Sequence, residues 1–589
     1  MVILDVETYR DYFLLSMKRR GGRPAHFEHF EGNPFDRKRV AGILASNTTV
    51  GFNSNSYDLL MIVAALQGMD NAALKSLSDS IIQSDRPSWQ IARDNHLSPP
   101  ETWDHIDLIE VAPGKASLKL YGGRLHAKRL QDLPLPPDAS ITPDLRPLMR
   151  SYCENDLDTT ALLLDALEKP IELRERMSDQ YGVDLRSKSD AQIAETVIRS
   201  ELQKRTGKRH GKVKLRSNKT FRYKDPGVIR FRDESLQRTL AAILDHPFEL
   251  QANGAVMLPQ WLKETRIEIG SSVYRMGIGG LHSSEKGQFV EAGDGALFDL
   301  DVASYYPSII LQQGLAPETM GQPFLDVYRS LVDARLTAKA GGDKSTADSL
   351  KIAINGSFGK LGSKYSVLYA PDLLIQTTLT GQLALLMLIE RVERAGAKVV
   401  SANTDGAVIW CDHTAERLVE EAAWEWMLDT SYDLERTDYL RLASRDVNNY
   451  VAVKPDGSTK GKGCFADTTL MKNPDRNIVA KSVAERIANG TPIDETVKRC
   501  VDLREFVTVR TVRGGATWNG EALGKAVRFY SSRSVPEDQC IHYATNGNRV
   551  PRSAGCMPVM DLPDEFPNDV DYDSYIVDAE KLLAEVGGA

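Results

Sequence analysis

Residues 301–308 read DVASYYPS, and residues 403–406 read NTDG. Apolar runs lead into both segments, and another follows the Asp-Gly pair, which is a strong local signal for a β-hairpin. We therefore expect Asp301 at the end of a strand and Asp405 at the exposed tip of a hairpin. Two carboxylates on neighbouring strands can bind two Mg²⁺ ions about 3.5–4 Å apart, as nucleotidyl transfer requires. Because Tyr306 precedes a proline, we expect the chain to turn away from helix and sheet there.

A predominantly helical stretch, about 317–360, lies between these segments, and glycines 341–342 divide it into a predicted helical hairpin. Phosphoryl transfer depends on positioning and on cations around the triphosphate, and this hairpin can supply them. Two pairs of residues at i, i+4 spacing share a helix face: Arg335 with Lys339, and Lys351 with Asn355. The alternative for Arg335 and Lys339 taken alone is a solvated helix face.

A second group of acidic residues lies near the start of the chain. Asp5 and Glu7 follow the first strand-like run, and Asp58 follows the second. Asp156 stands four residues after Tyr152, so both occupy one face of a helix that is predicted to begin at Tyr152. Each pattern alone is common and usually marks a solvated strand end. Together the four acids could hold two divalent ions.

The segments 301–308, 351–359 (KIAINGSFG) and 403–406 resemble, in order, motifs A, B and C of family B DNA polymerases: D-x-x-S-L-Y-P-S, K-x-x-x-N-S-x-Y-G and D-T-D-S. The resemblance implies a right-hand polymerase that uses Mg²⁺, with Mn²⁺ as an alternative, and acts on primer-template DNA and dNTPs. It makes Asp301, Asp405 and the Val302 carbonyl metal ligands and Tyr306 a steric gate against ribose. The implied nucleotide-binding residues are Ser304, Tyr305, Tyr306, Arg335, Lys339, Lys351 and Asn355.

The N-terminal acids resemble the motifs D-x-E, N-x-x-x-[FY]-D and Y-x-x-x-D of the RNase H-like proofreading domain of the same family. The resemblance implies a 3′-5′ exonuclease in which Tyr152 orients the attacking water. Its metal ligands would be Asp5, Glu7, Asp58 and Asp156. The implied DNA contacts are Asn53 and, in a primer-gripping segment, Tyr450, Lys460 and Lys462. Gly279 and Gly280 are further candidates, because clustered glycines allow close approach of the backbone to a template strand.

The chain departs from the family motifs at five positions. Tyr305 replaces Leu in motif A, Gly356 and Phe358 replace Ser and Tyr in motif B, and Gly406 replaces Ser in motif C. The largest departure is Asn403, which stands where the first Asp of motif C is usual. Because that Asp is the less essential one in the family, we expect the hairpin tip to carry one essential carboxylate.

The expected fold class is a multidomain chain of α/β and α+β parts, with an RNase H-like exonuclease and a polymerase of palm, fingers and thumb. The predicted regions are the exonuclease (1–185), a basic connecting region and start of the palm (186–290), the palm with motif A (291–316), the fingers hairpin with motif B (317–370), the palm with motif C (371–445), and the thumb and C-terminal region (446–589).

The composition fits several well-buried domains: 589 residues, 42% hydrophobic and 26% charged, with no apolar run expected to span a membrane. The six cysteines include no Cys-x-x-Cys pair, which argues against a disulfide framework and a structural zinc site. Residues 1–5 contain no basic leader, so we expect a cytoplasmic protein, in the host cytoplasm if a phage encodes it. We also expect a monomer. Replication accessory proteins are further candidate partners.

The net charge of −8 does not by itself indicate a nucleic-acid partner. Residues 204–224, however, are rich in Lys and Arg, contain no acid and include Phe221 and Tyr223. Such a segment suits a surface that follows phosphates, and a solvated charged loop is the alternative.

Three rival functions stay open at the level of sequence. A protein-primed polymerase is disfavoured because only about 50 positions separate Asp301 from Lys351, which leaves little room for an inserted subdomain. A DNA exonuclease with a degenerate polymerase half is the second rival, and RNA synthesis, disfavoured by Tyr306, is the third. The compact size resembles a bacteriophage enzyme.

Overall fold

The computed structural model describes residues 1–212 and 219–588. The first part of the chain contains a five-stranded mixed sheet of order β3-β2-β1-β4-β5, in which the central strand is antiparallel to β2 and parallel to β4. The strands are β1 (Val2–Thr8), β2 (Phe13–Arg19), β3 (Ala25–His29), β4 (Thr49–Gly51) and β5 (His105–Asp107). The helices are α1 (Arg37–Ser46), α2 (Asp58–Gln67), α3 (Asn71–Gln83), α4 (Ser88–Asp94), α5 (Leu108–Val111), α6 (Leu118–Arg124), α7 (Arg146–Ala166) and α8 (Glu168–Tyr181).

The alternation of side chains along β1 decides where the acids of this region point. Val2, Leu4 and Val6 belong to one hydrophobic cluster, which includes α2. Ile3 belongs to a second cluster on the opposite face, which includes Leu157 of α7. Successive strand residues face opposite sides, so the two acids of β1 share the face of Ile3 and point towards α7.

Helices follow this sheet where a connecting segment was expected. Residues 190–206, predicted as part of a polar and basic connection, form helix α9 (Asp190–Thr206), which ends in a glycine C-cap. Its apolar side belongs to the same hydrophobic cluster as the helical hairpin that follows. The polar composition concealed this helix because only one of its faces is apolar.

The predicted helical hairpin, which lies between motifs A and C and carries motif B, is confirmed. It consists of α13 (Gln322–Ala340) and α14 (Lys344–Leu361), preceded by α12 (Tyr305–Gln312) and followed by α15 (Pro371–Arg394). A β-carbon on Gly356 would lie 2.8 Å from the Asp190 carbonyl oxygen and 2.9 Å from the Ala194 Cβ. The glycine that replaces the usual Ser of motif B therefore permits close packing of α14 on α9.

Two expectations about helices in this chain were wrong. Tyr306 and Pro307 do not turn away but lie in the first turn of α12, where a proline loses no intrahelical hydrogen bond. Helix α7 begins at Arg146 rather than at Tyr152, with Pro147 in its first turn.

The second sheet has seven antiparallel strands in the order β15-β12-β14-β13-β10-β9-β8. Its strands are β8 (Ile267–Ile269), β9 (Ser272–Met276), β10 (Leu281–Ser283), β12 (Gly295–Val302), β13 (Lys398–Asn403), β14 (Gly406–Asp412) and β15 (Leu434–Tyr439). Helices α15 and α16 (His413–Thr430) contribute to the same large hydrophobic core.

Helix α15 is long and apolar enough to cross a membrane, contrary to the expectation of no such run, but 83% of its apolar window is buried inside the fold. Its residues from Ile375 to Val392 are almost all buried against the large sheet. The helix is therefore the central core element of this region, and its apolar composition follows from burial on all sides.

The remaining elements lie beside and after this sheet. Four strands form the order β11-β16-β17-β18, four others the order β21-β19-β20-β22, and two short strands pair as β6-β7. They are β6 (Thr220–Arg222), β7 (Pro247–Glu249), β11 (Gln288–Glu291), β16 (Arg441–Asp446), β17 (Asn449–Val453), β18 (Thr459–Lys462), β19 (Thr508–Trp518), β20 (Glu521–Ser531), β21 (His542–Tyr543) and β22 (Cys556–Pro558). The helices are α10 (Glu234–Asp245), α11 (Gln260–Glu264), α17 (Asn477–Asn489), α18 (Ile493–Arg499) and α19 (Tyr572–Glu585). The expected α/β and α+β fold class is confirmed.

The basic segment 204–224 falls partly outside the described residues, since residues 213–218 are not described. Within the described part, both aromatic residues belong to the protein core. Tyr223 is buried, with its hydroxyl 3.0 Å from the Thr380 hydroxyl, and Phe221 stacks on Phe248. The aromatic side chains therefore do not form a stacking surface for bases.

Candidate nucleotidyl-transfer and exonuclease sites

The predicted hairpin of motif C is present, and it lies beside motif A. Asp301 pairs with Gly406 across β12 and β14, and Asn403 pairs with the same glycine across β13 and β14. Thr404 and Asp405 are the two turn residues, with Thr404 in the left-handed region (φ 59°). The Val302 N–H donates to the Asp405 carbonyl at 2.7 Å, which holds the two motifs together.

A cavity of about 680 Å³ lies above this strand pair. It brings together residues that are far apart in the sequence, from the large sheet, the helical hairpin and β18. The predicted residues that border it are Asp301, Val302, Ser304, Tyr305, Tyr306, Arg335, Lys339, Lys351, Asn355, Asp405, Tyr450, Lys460 and Lys462.

The electrostatics at the floor of the cavity are those of a cation site. Burial, followed by the neighbouring carboxylates of Asp299 and Asp405, raises the pKa of Asp301 to about 6, although Lys460 opposes the shift. Burial also raises the pKa of Asp405. Clustered, partly desolvated carboxylates favour a bound divalent cation, so the oxygen ligands present here fit Mg²⁺.

The side chains of Tyr305 and Tyr306 have different surroundings. The Tyr306 ring stacks on Phe358 with centroids 4.1 Å apart, and its hydroxyl donates to the Gly279 carbonyl at 2.8 Å. Tyr305 is buried in the core and donates to the Gly381 carbonyl at 2.5 Å. A nucleotide contact by Tyr305 would therefore come from its backbone.

The cations of the helical hairpin already have partners. The Arg335 guanidinium donates to the Ser304 hydroxyl at 2.6 Å. Lys339 forms an ion pair with Glu435 at 2.7 Å, and both side chains are more than half exposed. Exposed ion pairs are weak, so a triphosphate could take Lys339 from Glu435 at little cost. Lys351 and Asn355 are exposed on α14.

Three predicted DNA contacts, Gly279, Gly280 and Lys460, contact other residues of the protein. Among the described residues, Gly279 and Gly280 are not part of the cavity lining. Gly280 packs against Thr404: a β-carbon on Gly280 would lie 2.8 Å from the Thr404 hydroxyl oxygen. Lys460, predicted to grip the primer, extends into the acidic floor, with its Nζ 3.2 Å from Asp299 Oδ2. Lys462 lies over the Tyr450 ring, 6.0 Å from its centroid.

Sequence reasoning missed Asp299. The available signal was the two-residue period of β12, which places Asp299 and Asp301 on the same face of the strand. The Asn403 side chain, in contrast, has turned to the loop that follows β16: its amide donates to the Val447 carbonyl at 3.3 Å.

The predicted exonuclease residues also come together. Asp5 and Glu7 face α7, which carries Tyr152 and Asp156, and Asp58 is the first residue of α2. Burial, followed by the charge of Asp156, raises the pKa of Asp5 to about 7. Burial is also the main cause that raises the pKa of Glu7, Asp58 and Asp156. Four acids that are buried or partly buried, and that resist ionisation, fit a site for divalent cations.

Two residues that were not predicted belong to this second site. Lys119 of α6 forms an ion pair with Asp156, and its Nζ lies 4.4 Å from the centroid of the Tyr152 ring. The Cys153 thiol donates to Asp5 Oδ2 at 3.2 Å. Lys119 lies 37 positions from Asp156 and no local pattern marks it.

Asn53, a predicted DNA contact, lies in the loop between β4 and α2, the helix that begins at Asp58. Its side chain is exposed and its backbone is in the left-handed region (φ 58°). The buried carboxylate of Asp107 fixes the loop, since it accepts from the N–H of Asn53 at 2.8 Å and from the N–H of Asn55 at 2.9 Å.

No protein-family model matches the chain. Among curated proteins, DNA polymerase II of Escherichia coli (strain K12) is 29% identical over 157 residues. The matched region is 22% of this chain and 20% of the E. coli protein, so the chain spans about a fifth of the relative's length.

Solved structures include one chain that aligns with the whole protein. The family B DNA polymerase of the hyperthermophilic archaeon Pyrobaculum calidifontis is covered over 78% of its length and matches 100% of this chain, with 16% identity and a TM-score of 0.42.

Proposed function

We propose that the protein is a DNA-dependent DNA polymerase that adds dNMP to a primer 3′-hydroxyl and carries its own 3′-5′ exonuclease. The observation that carries the proposal is the cavity in which both carboxylates of motifs A and C face the cations of the helical hairpin. A chain that only bound DNA would have no need to gather carboxylates beside such cations.

In this proposal the seven-stranded sheet is the palm, α13 and α14 are the fingers, and the region after residue 445 is the thumb. Asp301, Asp405 and the Val302 carbonyl would hold two divalent ions. When bound, such ions lower the pKa of the attacking 3′-hydroxyl and stabilise the leaving pyrophosphate. Arg335, Lys339 and Lys351 would hold the triphosphate, with Asn355 beside them.

Tyr306 would exclude ribonucleotides. Its ring is fixed on two sides, by Phe358 through stacking and by Gly279 through the hydroxyl. A ring fixed in this way cannot move aside at low cost, so a 2′-hydroxyl would meet a rigid wall. The substrate is therefore proposed to be a dNTP rather than an rNTP.

For the second site we propose hydrolysis of the 3′-terminal nucleotide of single-stranded DNA. Asp5, Glu7, Asp58 and Asp156 would hold the divalent ions, and the Tyr152 hydroxyl would orient the water. Lys119 would favour the ionised form of Asp156, because it lowers the pKa of that buried carboxyl against the larger effect of burial.

The test is primer extension on a primed single strand, with and without a 3′ mismatch, by the full chain and two variants. Asp405→Ala should abolish extension and retain degradation of the mismatched end. Asp5→Ala/Glu7→Ala should do the opposite. Residual synthesis by Asp405→Ala would refute the polymerase assignment, and undiminished degradation by the double variant would refute the exonuclease assignment.

The rivals have their own signatures in the same assay. A protein-primed enzyme would transfer labelled dNMP to a protein hydroxyl without a DNA primer. An exonuclease with a degenerate polymerase half would degrade DNA and extend nothing. A bacteriophage origin, a host-cytoplasmic location, accessory proteins and a monomeric state remain predictions from the sequence.

A further inference from the structure

We propose that Asp299 is a positioning residue of the polymerase site: it holds the Lys460 ammonium aside, so that Asp301 is free to bind a divalent ion. The inference rests on the proposed polymerase function and extends it to a residue outside the three motifs.

The distances show which carboxylate holds the lysine. The Lys460 Nζ lies 3.2 Å from Asp299 Oδ2 and 4.0 Å from Asp301 Oδ2. Asp299 is 6% exposed, whereas the Asp301 side chain is 48% exposed and borders the cavity. The ammonium therefore bonds to the buried acid and only borders the exposed one.

Tyr439 completes the arrangement from the neighbouring strand. Its hydroxyl donates to the same Asp299 Oδ2 at 3.2 Å and lies 3.2 Å from the Lys460 Nζ. Both groups come from outside motif A, since β15 carries the tyrosine and β18 carries the lysine. A buried carboxylate with two donors on one oxygen is fixed in place, and it fixes its partners in turn.

Removing the charge of Asp299 should change the ion-pair partner of Lys460. Asp301 would then be the nearest carboxylate to the ammonium, and an ion pair between them would compete with a divalent cation for the same oxygens. Removing Lys460 as well would abolish the competitor. The proposal therefore predicts that the second substitution rescues the first, which a purely structural role of Asp299 does not.

The experiment measures Mn²⁺ binding by electron paramagnetic resonance in the full chain carrying Asp5→Ala/Glu7→Ala, which silences the second site. A dideoxy-terminated primer-template and the next dNTP are present, so no chemistry occurs. Asp299→Asn should weaken Mn²⁺ binding by about tenfold, the range typical of outer-sphere partners of metal ligands. Asp299→Asn/Lys460→Met should return the affinity to that of Lys460→Met.

Unchanged affinity in Asp299→Asn, or a double variant as weak as Asp299→Asn, would overturn the proposal. Asp438→Asn is the matched control, because Asp438 is a carboxylate on β15 that pairs with Arg436. This variant should bind Mn²⁺ like the parent. Lys460→Met alone tests the same idea with Asp299 intact: it should bind Mn²⁺ at least as tightly as the parent, and weaker binding would count against the proposal.

A failure of the proposed function looks different. A parent chain that extends no primer at any Mg²⁺ concentration would refute polymerisation itself. If the parent extends primers, the Mg²⁺ concentration for half-maximal extension should rise about tenfold in Asp299→Asn and fall back in the double variant, in parallel with the Mn²⁺ affinity.

Discussion

The carboxylate of Asp301 lies directly over the α-carbon of Gly406, so that a β-carbon on residue 406 would overlap Oδ1 of the aspartate. The two residues are paired across β12 and β14. Glycine at this point of motif C therefore gives the metal-ligand candidate its position, and it accounts for the absence of the usual Ser.

Gly406→Ala should displace the Asp301 carboxylate and reduce primer extension by about a hundredfold, since a shift of about 1 Å in a reacting group has effects of that size. Exonuclease activity on single-stranded DNA should be unchanged, because that site lies in the other sheet. Gly42→Ala in α1, where a β-carbon would meet nothing within 4 Å, is the control. Equal extension by the two variants would contradict the prediction.

Asn403→Asp should retain primer extension within about threefold, because the Asn403 amide borders the cavity but donates to the Val447 carbonyl in the loop after β16. Loss of that hydrogen bond should lower the free energy of unfolding by about 0.5–1.5 kcal/mol. Asp405→Asn should abolish extension without a comparable effect on stability. Equal loss of activity at both positions would overturn this division of labour.

Tyr306→Ala should raise incorporation of rNTPs relative to dNTPs by about a hundredfold, because the wall against a 2′-hydroxyl is removed. The ratio of kcat/KM for an rNTP to kcat/KM for the matching dNTP measures this discrimination. Tyr365→Ala, a tyrosine that is 68% exposed, is the matched control and should leave the ratio unchanged. A ratio that does not move in Tyr306→Ala would exclude the steric role.

Lys119→Met should reduce exonuclease activity by about ten- to a hundredfold and leave primer extension intact. Lys119 lowers the pKa of the Asp156 carboxyl, so its removal raises that pKa and should move the pH profile of the exonuclease to higher pH. Lys115→Met on the exposed turn before α6 is the control. A loss of activity without any shift in the pH profile would point to a packing role instead.

In the metal-free protein, Asp5 and Asp301 should lose their contribution to stability as the pH rises from about 4 to 8. Burial lowers the pKa of His105 and His126 to about 4, and these two groups act in the opposite direction. The pKa of Asp5 is about 7 and that of Asp301 about 6 in the folded chain, both above the unfolded value of about 3.9. Carboxyls with raised pKa values contribute stability that is complete below the unfolded pKa and is lost as the pH passes the folded pKa.

Melting temperatures in EDTA across this range measure the effect. Asp5→Asn should flatten the curve, whereas Asp85→Asn at an exposed turn should not. Mg²⁺ should raise the melting temperature more at pH 8 than at pH 5, because it binds the ionised carboxylates. Parallel curves for the parent and for Asp5→Asn in EDTA would contradict the assignment.

Local periodicity made much of the site predictable. The Asp-Gly signal located the hairpin that carries Asp405, and the i, i+4 spacing placed Arg335 and Lys339 on one face of a helix that the structure confirms. These features depend on contacts between residues close in the chain. The turn expected at Tyr306 was wrong because Pro307 lies in the first turn of α12, where the backbone N–H groups have no intrahelical partner.

The sequence by itself determined the strands and helices that carry the chemistry and the residue types they present. The tertiary structure decided which of these residues meet. Lys460 contacts Asp299, which is 161 positions away in the sequence. Gly356 of α14 permits close packing on α9, which is more than 150 positions away. Such contacts follow from the close packing of side chains from distant elements, and a periodicity of two or 3.6 residues fixes a face but not its partner.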